Sequence, residues 1–379
     1  MKMPSRLDTR PLARWWWSVD HLTLGVVGLI IAIGVALIMA AGPVAAARLS
    51  HVDVFYFPVR QLIFLGPAIA VMLGISFLSP LFIRRLGVVA FGVSLVAMVL
   101  VLLVAEPING AQRWLDLGPM LLQPSEFVKT GFIITAAWMM AEGARDRQFP
   151  GALIAMGLYL AVSALLLLQP DVGQWLLVTA VWAVMFFIAG ISWFWLAVLG
   201  GFAACAIVAA YYLFPHVSRR IDGFLDPTGA DNYQVEKATE AIANGGGFGM
   251  GASEGAVKHQ LPDAHADFIF AVAGEEFGFF FCLVIIALFA TFVGRSFVRA
   301  FSASSIFIQC AICGLSAMVG FQAIINIGVN LRVFPAKGMT LPFISYGGSS
   351  LMAMALAVGC VLALTRRQHA ITRRCEIMP

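Results

Sequence analysis

Ten apolar segments of about 20 residues recur along this chain, and they constrain its fold more than any other feature. A helix that crosses a bilayer needs about 20 consecutive, mostly apolar residues. We therefore expect an all-α integral membrane protein with about ten transmembrane helices, forming one polytopic domain over residues 1–379. The segments lie near residues 22–42, 59–79, 86–105, 122–142, 151–168, 172–190, 192–213, 265–293, 303–327 and 343–364.

The composition agrees with membrane insertion. Hydrophobic residues make up 61% of the 379 positions and charged residues 12%, against about 45–50% apolar and about 25% charged residues in an ordinary soluble domain. No basic patch interleaved with aromatic residues is present, so nucleic acid is not an expected partner.

The placement of Lys and Arg predicts the orientation. More than half of the 24 Lys and Arg residues fall in the termini and short connections of one side, which the positive-inside rule makes cytoplasmic. Residues 1–21 and 365–379 are then cytoplasmic tails. The opposite side carries loops 106–121, 214–264 and 328–342. Loop 214–264, between the seventh and eighth predicted helices, is too long for a mere connection and indicates function.

Within that long loop, residues 231–244 have the pattern of a short helix. Gly245 to Gly247 would end it, and its apolar side is expected to lie on the bilayer. The glycine run over residues 245–251 lacks the pattern of a nucleotide loop. It is either a flexible hinge or a backbone cradle for a lipid pyrophosphate.

Asp267 is the strongest catalytic candidate, because an ionisable group at a lipid surface is costly and usually functional. If the eighth helix begins just after Pro262, Asp267 lies about 6 Å inside it, on a face with Ala271 and approximately Glu275. Partial desolvation would raise the proton affinity of the carboxylate, as a general base requires. Asp263 is better placed to cap the helix.

Several other charged residues have both a structural and a functional interpretation. Glu126 and Lys129 form either an ion pair within the helix or a substrate contact, and Arg113 beside Trp114 is either an interfacial pair or an anion contact. His265 is an alternative base or, as we favour, an interfacial filler. The chain has no H-E-x-x-H and no closed Cys/His set, so no metal site is predicted.

The last outer loop is the most distinctive segment. Two prolines and several glycines surround Lys337, and a Ser-Tyr-Gly-Gly-Ser-Ser run starting at Ser345 enters the tenth apolar segment. Non-helical backbone at membrane depth is tolerated only where it is buried in protein or lines a cavity. This loop is therefore expected to form the lip of a cavity.

At these residues the chain resembles the SEDS family (shape, elongation, division and sporulation proteins). The resemblance covers nearly the whole chain, and residues 335–346 are more similar to the division members than to the elongation members. Ala266 departs from it, since a threonine is usual there. The matching pieces are Gly110-x-x-Arg113-Trp114, Gln123-Pro124-Ser125-Glu126, Asp267-Phe268-Ile269-Phe270-Ala271, Glu275-Glu276 and the run from Pro335 through Ser350.

The resemblance implies a peptidoglycan glycosyltransferase of the bacterial inner membrane, polymerising lipid II at the periplasmic face of the division septum. It also implies a class B penicillin-binding transpeptidase and other division proteins as partners, and Asp267 as the essential aspartate. We expect substrate contacts from Arg113, Lys129, Lys258, Lys337 and Ser345, with a divalent cation such as Mg²⁺ as an optional aid to the pyrophosphate. The expected supporting residues are Glu126, Arg219, Arg220, Gln234, His265, Glu275 and Glu276.

Two other functions fit the sequence less well. A flippase for lipid-linked precursors would have ionisable residues throughout the bundle and inverted repeats, whereas the charges gather on the outer side. A non-catalytic division scaffold would leave the outer carboxylate and cations without a role.

Overall fold

The computed structural model describes residues 10–49, 52–105, 112–116, 118, 121–190, 193–213, 217–218, 222–223, 233–252, 254–335 and 338–366. The described chain is almost entirely helical, with a single two-stranded pair in which Leu115 lies opposite Leu122. The elements are α1 (Pro11–Ser18), α2 (His21–Ala46), α3 (Tyr56–Ser76), α4 (Pro80–Val104), β1 (Leu115–Asp116), β2 (Leu121–Leu122), α5 (Pro124–Arg145), α6 (Gly151–Leu168), α7 (Val172–Ile188), α8 (Trp193–Leu213), α9 (Tyr233–Gly245), a 3₁₀ turn (Val257–His259), α10 (Ile269–Phe301), α11 (Ile306–Asn330) and α12 (Gly348–Leu364).

Each of the ten apolar segments coincides with one of these helices. By length and composition, six of the described helices are able to cross a membrane: α2, α3, α4, α6, α10 and α11. α7 and α12 are apolar but shorter, and α5 is interrupted by buried charges near its start. The all-α membrane fold is confirmed, whereas the number of crossings stays a prediction.

The centre of the bundle is built from α5, α11 and α12, and almost all of α12 is buried. Close approach depends on small residues, as is usual for helices packed within a membrane. At Gly131 of α5, a Cβ atom would lie 2.5 Å from the backbone nitrogen of Phe91 in α4. The outer helices instead expose large apolar side chains, such as Val89, Val93 and Val96 of α4, which suit contact with lipid.

The end of the bundle that carries the tails is fixed by charged and aromatic contacts. Asp20 accepts hydrogen bonds from Arg295 (2.8 Å) and Arg299 (3.2 Å) of α10. Trp15 of α1 is buried and donates to the hydroxyl of Ser76 at 2.8 Å. These contacts tie the start of α2 and the short helix before it to the ends of α3 and α10.

The long loop packs against the helices rather than on the bilayer. α9 covers residues 233–245, close to the predicted helix, and its apolar residues Val235, Ala238 and Ala241 are buried. They join a second hydrophobic cluster that includes Phe268 and Val272 of the α10 region. The predicted bilayer contact of this helix is therefore wrong, because its apolar side is covered by protein.

Candidate active site

Asp267 lies in a turn and not inside a helix. α10 begins at Ile269, so the expected helix start after Pro262 is wrong. Asp263 adopts a positive φ of 51°, and its carbonyl oxygen accepts from the backbone nitrogens of Ala266 (2.9 Å) and Phe268 (3.4 Å). This tight turn delays the helix and leaves Asp267 two residues ahead of it.

Two asparagines on α11 hold the backbone of Asp267. The Nδ2 atoms of Asn326 and Asn330 donate to the Asp267 carbonyl oxygen at 2.9 and 3.1 Å. Asn330 Oδ1 accepts from the backbone nitrogen of Ala271 at 3.1 Å, and Asn326 Nδ2 also donates to Met339 at 2.7 Å. Sequence reasoning missed both residues, although two amides four apart near the end of an apolar helix lie on one helix face.

The loop that follows α11 is fastened to the same turn. Ser345 Oγ donates to the Ala266 carbonyl oxygen at 2.6 Å and accepts from the backbone nitrogen of Leu341 at 2.8 Å. Ser345 is 3% exposed, and both hydrogen bonds of its hydroxyl are made within the protein. This differs from its predicted role as a substrate contact.

His265 is packed as a filler. Its ring packs against those of Phe57 and Tyr346, with ring centroids 4.1 and 5.4 Å away, and the three rings form one cluster. Its buried Nδ1 atom has no hydrogen-bond partner within the described structure, and burial lowers the pKa of the imidazole. The backbone carbonyl of His265 accepts from Tyr346 at 2.9 Å, which adds another tie between the turn and the loop.

Asp267 faces a cavity of about 410 Å³ between the turn and this loop. A Cβ atom built on Gly338 would lie 3.4 Å from Asp267 Oδ2, so the carboxylate points toward the loop. Arg60 and Arg113 bring positive charge to the same cavity. Sequence reasoning missed Arg60 because it lies inside an apolar segment. The other lining residues include Phe64, Trp114, Gln123, Glu126, Asp171, Ala266, Thr340, Tyr346 and Gly347 to Ser350.

Both arginines are oriented by neighbouring groups. Arg113 donates to the carbonyl oxygens of Gln169 and Pro170, and it lies 3.8 Å from the Asp171 carboxylate. Arg60 donates to the Tyr56 hydroxyl at 2.6 Å. Such bonds reduce the freedom that a guanidinium loses when it binds an anion.

Glu126 and Lys129 form a buried ion pair with an N–O distance of 2.9 Å. The Lys129 amine also donates to Gln174 (2.9 Å) and Gln322 (3.1 Å), and Gln174 donates back to Glu126. Lys129 is 1% exposed and its amine is enclosed by these side chains. The structure therefore favours the ion-pair interpretation for Lys129, while Glu126 reaches the cavity.

This network extends to the lip of the cavity. Gln322 Nε2 donates to the carbonyl oxygen and the hydroxyl of Thr340 at 3.1 and 3.3 Å. The Thr340 hydroxyl in turn lies 2.6 Å from the hydroxyl of Ser350 at the start of α12. A chain of hydrogen-bonded polar groups, buried at Lys129 and Gln322 and partly buried at Thr340 and Ser350, thus connects the ion pair in α5 with the loop opposite Asp267.

Lys258, Glu275 and Glu276 form a separate buried group. The two oxygens of Glu275 accept from the backbone nitrogens of Val257 (2.7 Å) and Lys258 (2.9 Å). Lys258 Nζ forms an ion pair with Glu276. Lys258, Glu275 and Glu276 are each at most 2% exposed. They fasten the long loop to α10 and do not line the Asp267 cavity, which differs from the predicted roles of Lys258 in substrate binding and Glu275 beside Asp267.

The glycine run also pairs with α10. α10 is broken at Gly278, whose φ and ψ of 83° and −179° are non-helical. The backbone nitrogens of Met250 and Gly251 donate to the carbonyls of Glu275 (3.0 Å) and Glu276 (3.1 Å). In return, the nitrogens of Phe279 and Phe280 donate to Gly246 (2.9 Å) and Gly247 (3.2 Å). The run is therefore neither a free hinge nor an open anion cradle.

The remaining predicted residues are placed as follows. Gln234 lies partly buried in the first turn of α9. Arg219, Arg220 and Lys337 lie outside the described residues, although Gly338, next to Lys337, lines the cavity. Among the described residues, no group of three or more His, Cys, Asp or Glu side chains is arranged to hold a metal ion.

A family model described as "Cell cycle protein", which covers FtsW, RodA and SpoVE, matches residues 20–370. The chain belongs to this family. The family resemblance inferred from the motifs is confirmed, and the chain is a multi-pass membrane protein.

Relatives match over nearly the full chain. A Caulobacter vibrioides protein called "Probable peptidoglycan glycosyltransferase FtsW" is 43% identical over 364 residues, which span 96% of this chain and 93% of the relative. A protein of the same name from Aromatoleum aromaticum is 34% identical over 370 residues, 95% of this chain and 89% of the relative.

Solved structures share the fold. A chain of a peptidoglycan synthase complex that coordinates polymerization and crosslinking is 31% identical, with a TM-score of 0.77 over 92% of this chain and 98% of that chain. The rod shape determining protein RodA of Thermus thermophilus is 29% identical, with a TM-score of 0.68 over 93% of this chain and 99% of that chain.

Proposed function

We propose that this family member is a peptidoglycan glycosyltransferase that polymerises lipid II at the outer face of the bacterial inner membrane. The observation that carries the proposal is the Asp267 carboxylate, which faces a cavity that also contains Arg60 and Arg113. The names of the relatives support the reaction class. The similarity to division members supports a septal role. The basic tails support a topology with both termini inside the cell.

Asp267 is the general base of the proposed reaction. The 4-hydroxyl group of an acceptor sugar is a poor nucleophile, and a carboxylate that takes its proton during attack accelerates the transfer. The oxygen then bonds to the anomeric carbon of the donor, while the bond to the lipid pyrophosphate breaks. A single direct displacement of this kind inverts the anomeric centre.

Cations at the cavity serve the leaving group. A pyrophosphate departs without protonation, but its charge needs neutralising, so one carboxylate with nearby cations suffices where most glycosidases use two carboxyl groups. Arg60 and Arg113 line the cavity, and Lys337 precedes a lining residue in the sequence. These three residues replace the earlier set that included Lys258, whose amine is paired with Glu276.

A divalent cation would bind at this site together with the pyrophosphate of the substrate. Mg²⁺ is commonly held by one or two carboxylates together with phosphate oxygens, and the carboxylates that line the cavity are those of Asp267, Glu126 and Asp171. We expect polymerisation to fall when Mg²⁺ is removed with a chelator and to recover when Mg²⁺ is restored. Unchanged polymerisation without divalent cations would leave the arginines and Lys337 as the neutralising groups.

The proposed partner is a class B penicillin-binding transpeptidase. Support comes from the similarity to a chain of a synthase complex that couples polymerization and crosslinking. The enzyme would supply glycan strands, and the partner would link their peptides.

The test is glycan-chain formation from labelled lipid II by purified protein with its transpeptidase. We expect Asp267→Asn to lower the rate by a factor of about 100 or more, the usual range for loss of a general base. Asp263→Asn is the matched control, because it removes a carboxylate from the same turn, is exposed, and retains a residue type that tolerates positive φ. Equal polymerisation by Asp267→Asn and wild type would overturn the assignment, and lipid translocation without polymer would favour a flippase.

A further inference from the structure

A second cavity, of about 480 Å³, lies at the other end of α5. Arg145 lines it, whereas Glu126 lines the cavity of Asp267. These residues are 19 positions apart in one helix, or about 28 Å at 1.5 Å per residue. The second cavity therefore belongs to the opposite face of the bundle, the side rich in Lys and Arg, and plays no part in the proposed transferase reaction.

Two arginines share one carboxylate in this cavity. The Arg84 guanidinium lies 4.7 Å from the ring centroid of Trp138 and 3.6 Å from Glu142. Arg145 lies 3.9 Å from the same carboxylate, and its side chain is 83% exposed. Trp138 Nε1 also donates to Glu142, at 3.1 Å. The group keeps a net positive charge, with Arg84 held in place and Arg145 accessible to a ligand.

Two long helices begin at the same cavity. α4 starts at Pro80 and α11 at Ile306, and neither Ser79 nor Ser305 caps its helix with a side-chain hydrogen bond. The unpaired amides at a helix start carry a partial positive charge and attract anions. With Arg84 and Arg145 outnumbering the single Glu142 carboxylate, the net charge around the cavity is positive and favours a negatively charged group.

The rim of the cavity is apolar and exposed. Leu81 and Ile306 line it and are 45% and 40% exposed, and the neighbouring Phe82 is 54% exposed. A free phosphate ion would not use this rim. A ligand with an anionic head and apolar tails would place its head among the arginines and its tails along α4 and α11.

We propose that this cavity binds the headgroup phosphate of an anionic phospholipid from the cytoplasmic leaflet. Basic pockets between helices on this side of a membrane suit such headgroups. The phosphate would accept hydrogen bonds from Arg84, Arg145 and the first amides of α11, partly displacing Glu142 from Arg145. The expected ligand class is phosphatidylglycerol or cardiolipin, and neutral phosphatidylcholine binds more weakly.

Native mass spectrometry of the purified full chain, titrated with phosphatidylglycerol or phosphatidylcholine, tests the proposal. We expect Arg84→Gln with Arg145→Gln to weaken phosphatidylglycerol binding about twenty-five-fold, since each basic residue near an anionic lipid contributes a factor of about five. Arg85→Gln with Arg147→Gln is the matched control: it removes the same charge one and two positions further along the chain, at exposed residues that do not line the cavity. This control should change binding less than twofold.

A variant that binds the lipid more tightly provides a test that a folding defect cannot mimic. Glu142→Gln removes the carboxylate that competes for both arginines, and we expect it to strengthen phosphatidylglycerol binding. Inorganic phosphate at the same concentration should not displace the lipid. Equal losses in the two double variants, or no preference of wild type for phosphatidylglycerol over phosphatidylcholine, would overturn the proposal.

Discussion

Asn330, at the end of α11, donates a hydrogen bond of 3.1 Å to the backbone carbonyl oxygen of Asp267. The same side chain accepts from Ala271, so one amide fixes both the candidate base and the first turn of α10. Asn330 is completely buried and does not line the cavity. It is therefore a positioning residue for Asp267.

Asn330→Ala should slow polymerisation more than it weakens substrate binding. The variant removes one of two donors to the Asp267 carbonyl oxygen and one of two acceptors of the Ala271 backbone nitrogen, each hydrogen bond being worth about 0.5–1.5 kcal/mol. We expect kcat to fall severalfold or more while KM for lipid II stays within about twofold. Ile324→Ala on the same helix is the control, because Ile324 is 55% exposed. A change confined to KM would contradict the positioning role.

Gly278→Ala should prevent stable folding. A Cβ at Gly278 would collide with the backbone of Gly249, and its φ of 83° with ψ near 180° is essentially restricted to glycine. We expect a loss of at least about 3 kcal/mol from strain and broken backbone pairing, seen as low yield or a large fall in Tm in detergent. Gly294→Ala in the same helix meets nothing within 4 Å. It should leave Tm unchanged or slightly higher, and equal effects of the two changes would contradict the role of the break.

Lys258 can be tested as a structural residue through its partner. Lys258→Met alone leaves the buried Glu276 carboxylate without its cation, which typically costs about 3–5 kcal/mol. Adding Glu276→Gln removes the uncompensated charge, so the double variant should recover both Tm and polymerisation. A double variant that folds but makes no glycan would instead indicate that the Lys258 amine contacts the pyrophosphate.

The Asp20 carboxylate should make the stability of the fold depend on pH in the acidic range. Burial alone would raise the pKa of its carboxyl, but hydrogen bonds from Arg295, Arg299 and Thr23 outweigh burial and hold the pKa well below its usual range. Because the folded pKa lies below the ordinary value of 3.8, this carboxylate stabilises the fold above that pH and loses the effect as the pH falls below it. Asp20→Asn should cost about 2 kcal/mol at pH 7, the range for bonds to charged groups.

The measurement for Asp20 is Tm in detergent between pH 7 and pH 3. The difference between wild type and Asp20→Asn should narrow at the acidic end. Glu254→Gln, at an exposed position, is the control and should follow wild type throughout. A difference that stays constant across this range would exclude the titration of Asp20 as its cause.

Hydropathy predicted the helices because membrane insertion demands about 20 apolar residues wherever the chain crosses. It predicted less about the site, where function depends on interruptions of that pattern. Arg60, Asn326 and Asn330 lie inside segments that a hydropathy average treats as uniform. The delayed start of α10 depends on the conformation of Asp263, which the sequence does not specify.

The second limit on predicting the site from the sequence was the pairing of residues that lie far apart in the chain. Lys258 and Glu276 are 18 positions apart, and a lysine in an outer loop looks like an anion ligand until its buried carboxylate is known. The ion pair of Glu126 and Lys129 was easier to anticipate, because residues three apart share a helix face. Asp267 itself was found from the motif and its position at the lipid surface, and neither indication required tertiary contacts.

From its sequence, the glycine run over residues 245–251 looks like the part of the chain that could be altered most freely. Its backbone hydrogen bonds to α10 indicate the opposite. Engineers who shorten outer loops, exchange them between relatives or insert an epitope tag would choose such a stretch first. Here, an edit would remove the hydrogen-bond partners of the main chain around the break at Gly278. When the outer loops are redesigned, this run and residues 275–280 should therefore be kept or exchanged together.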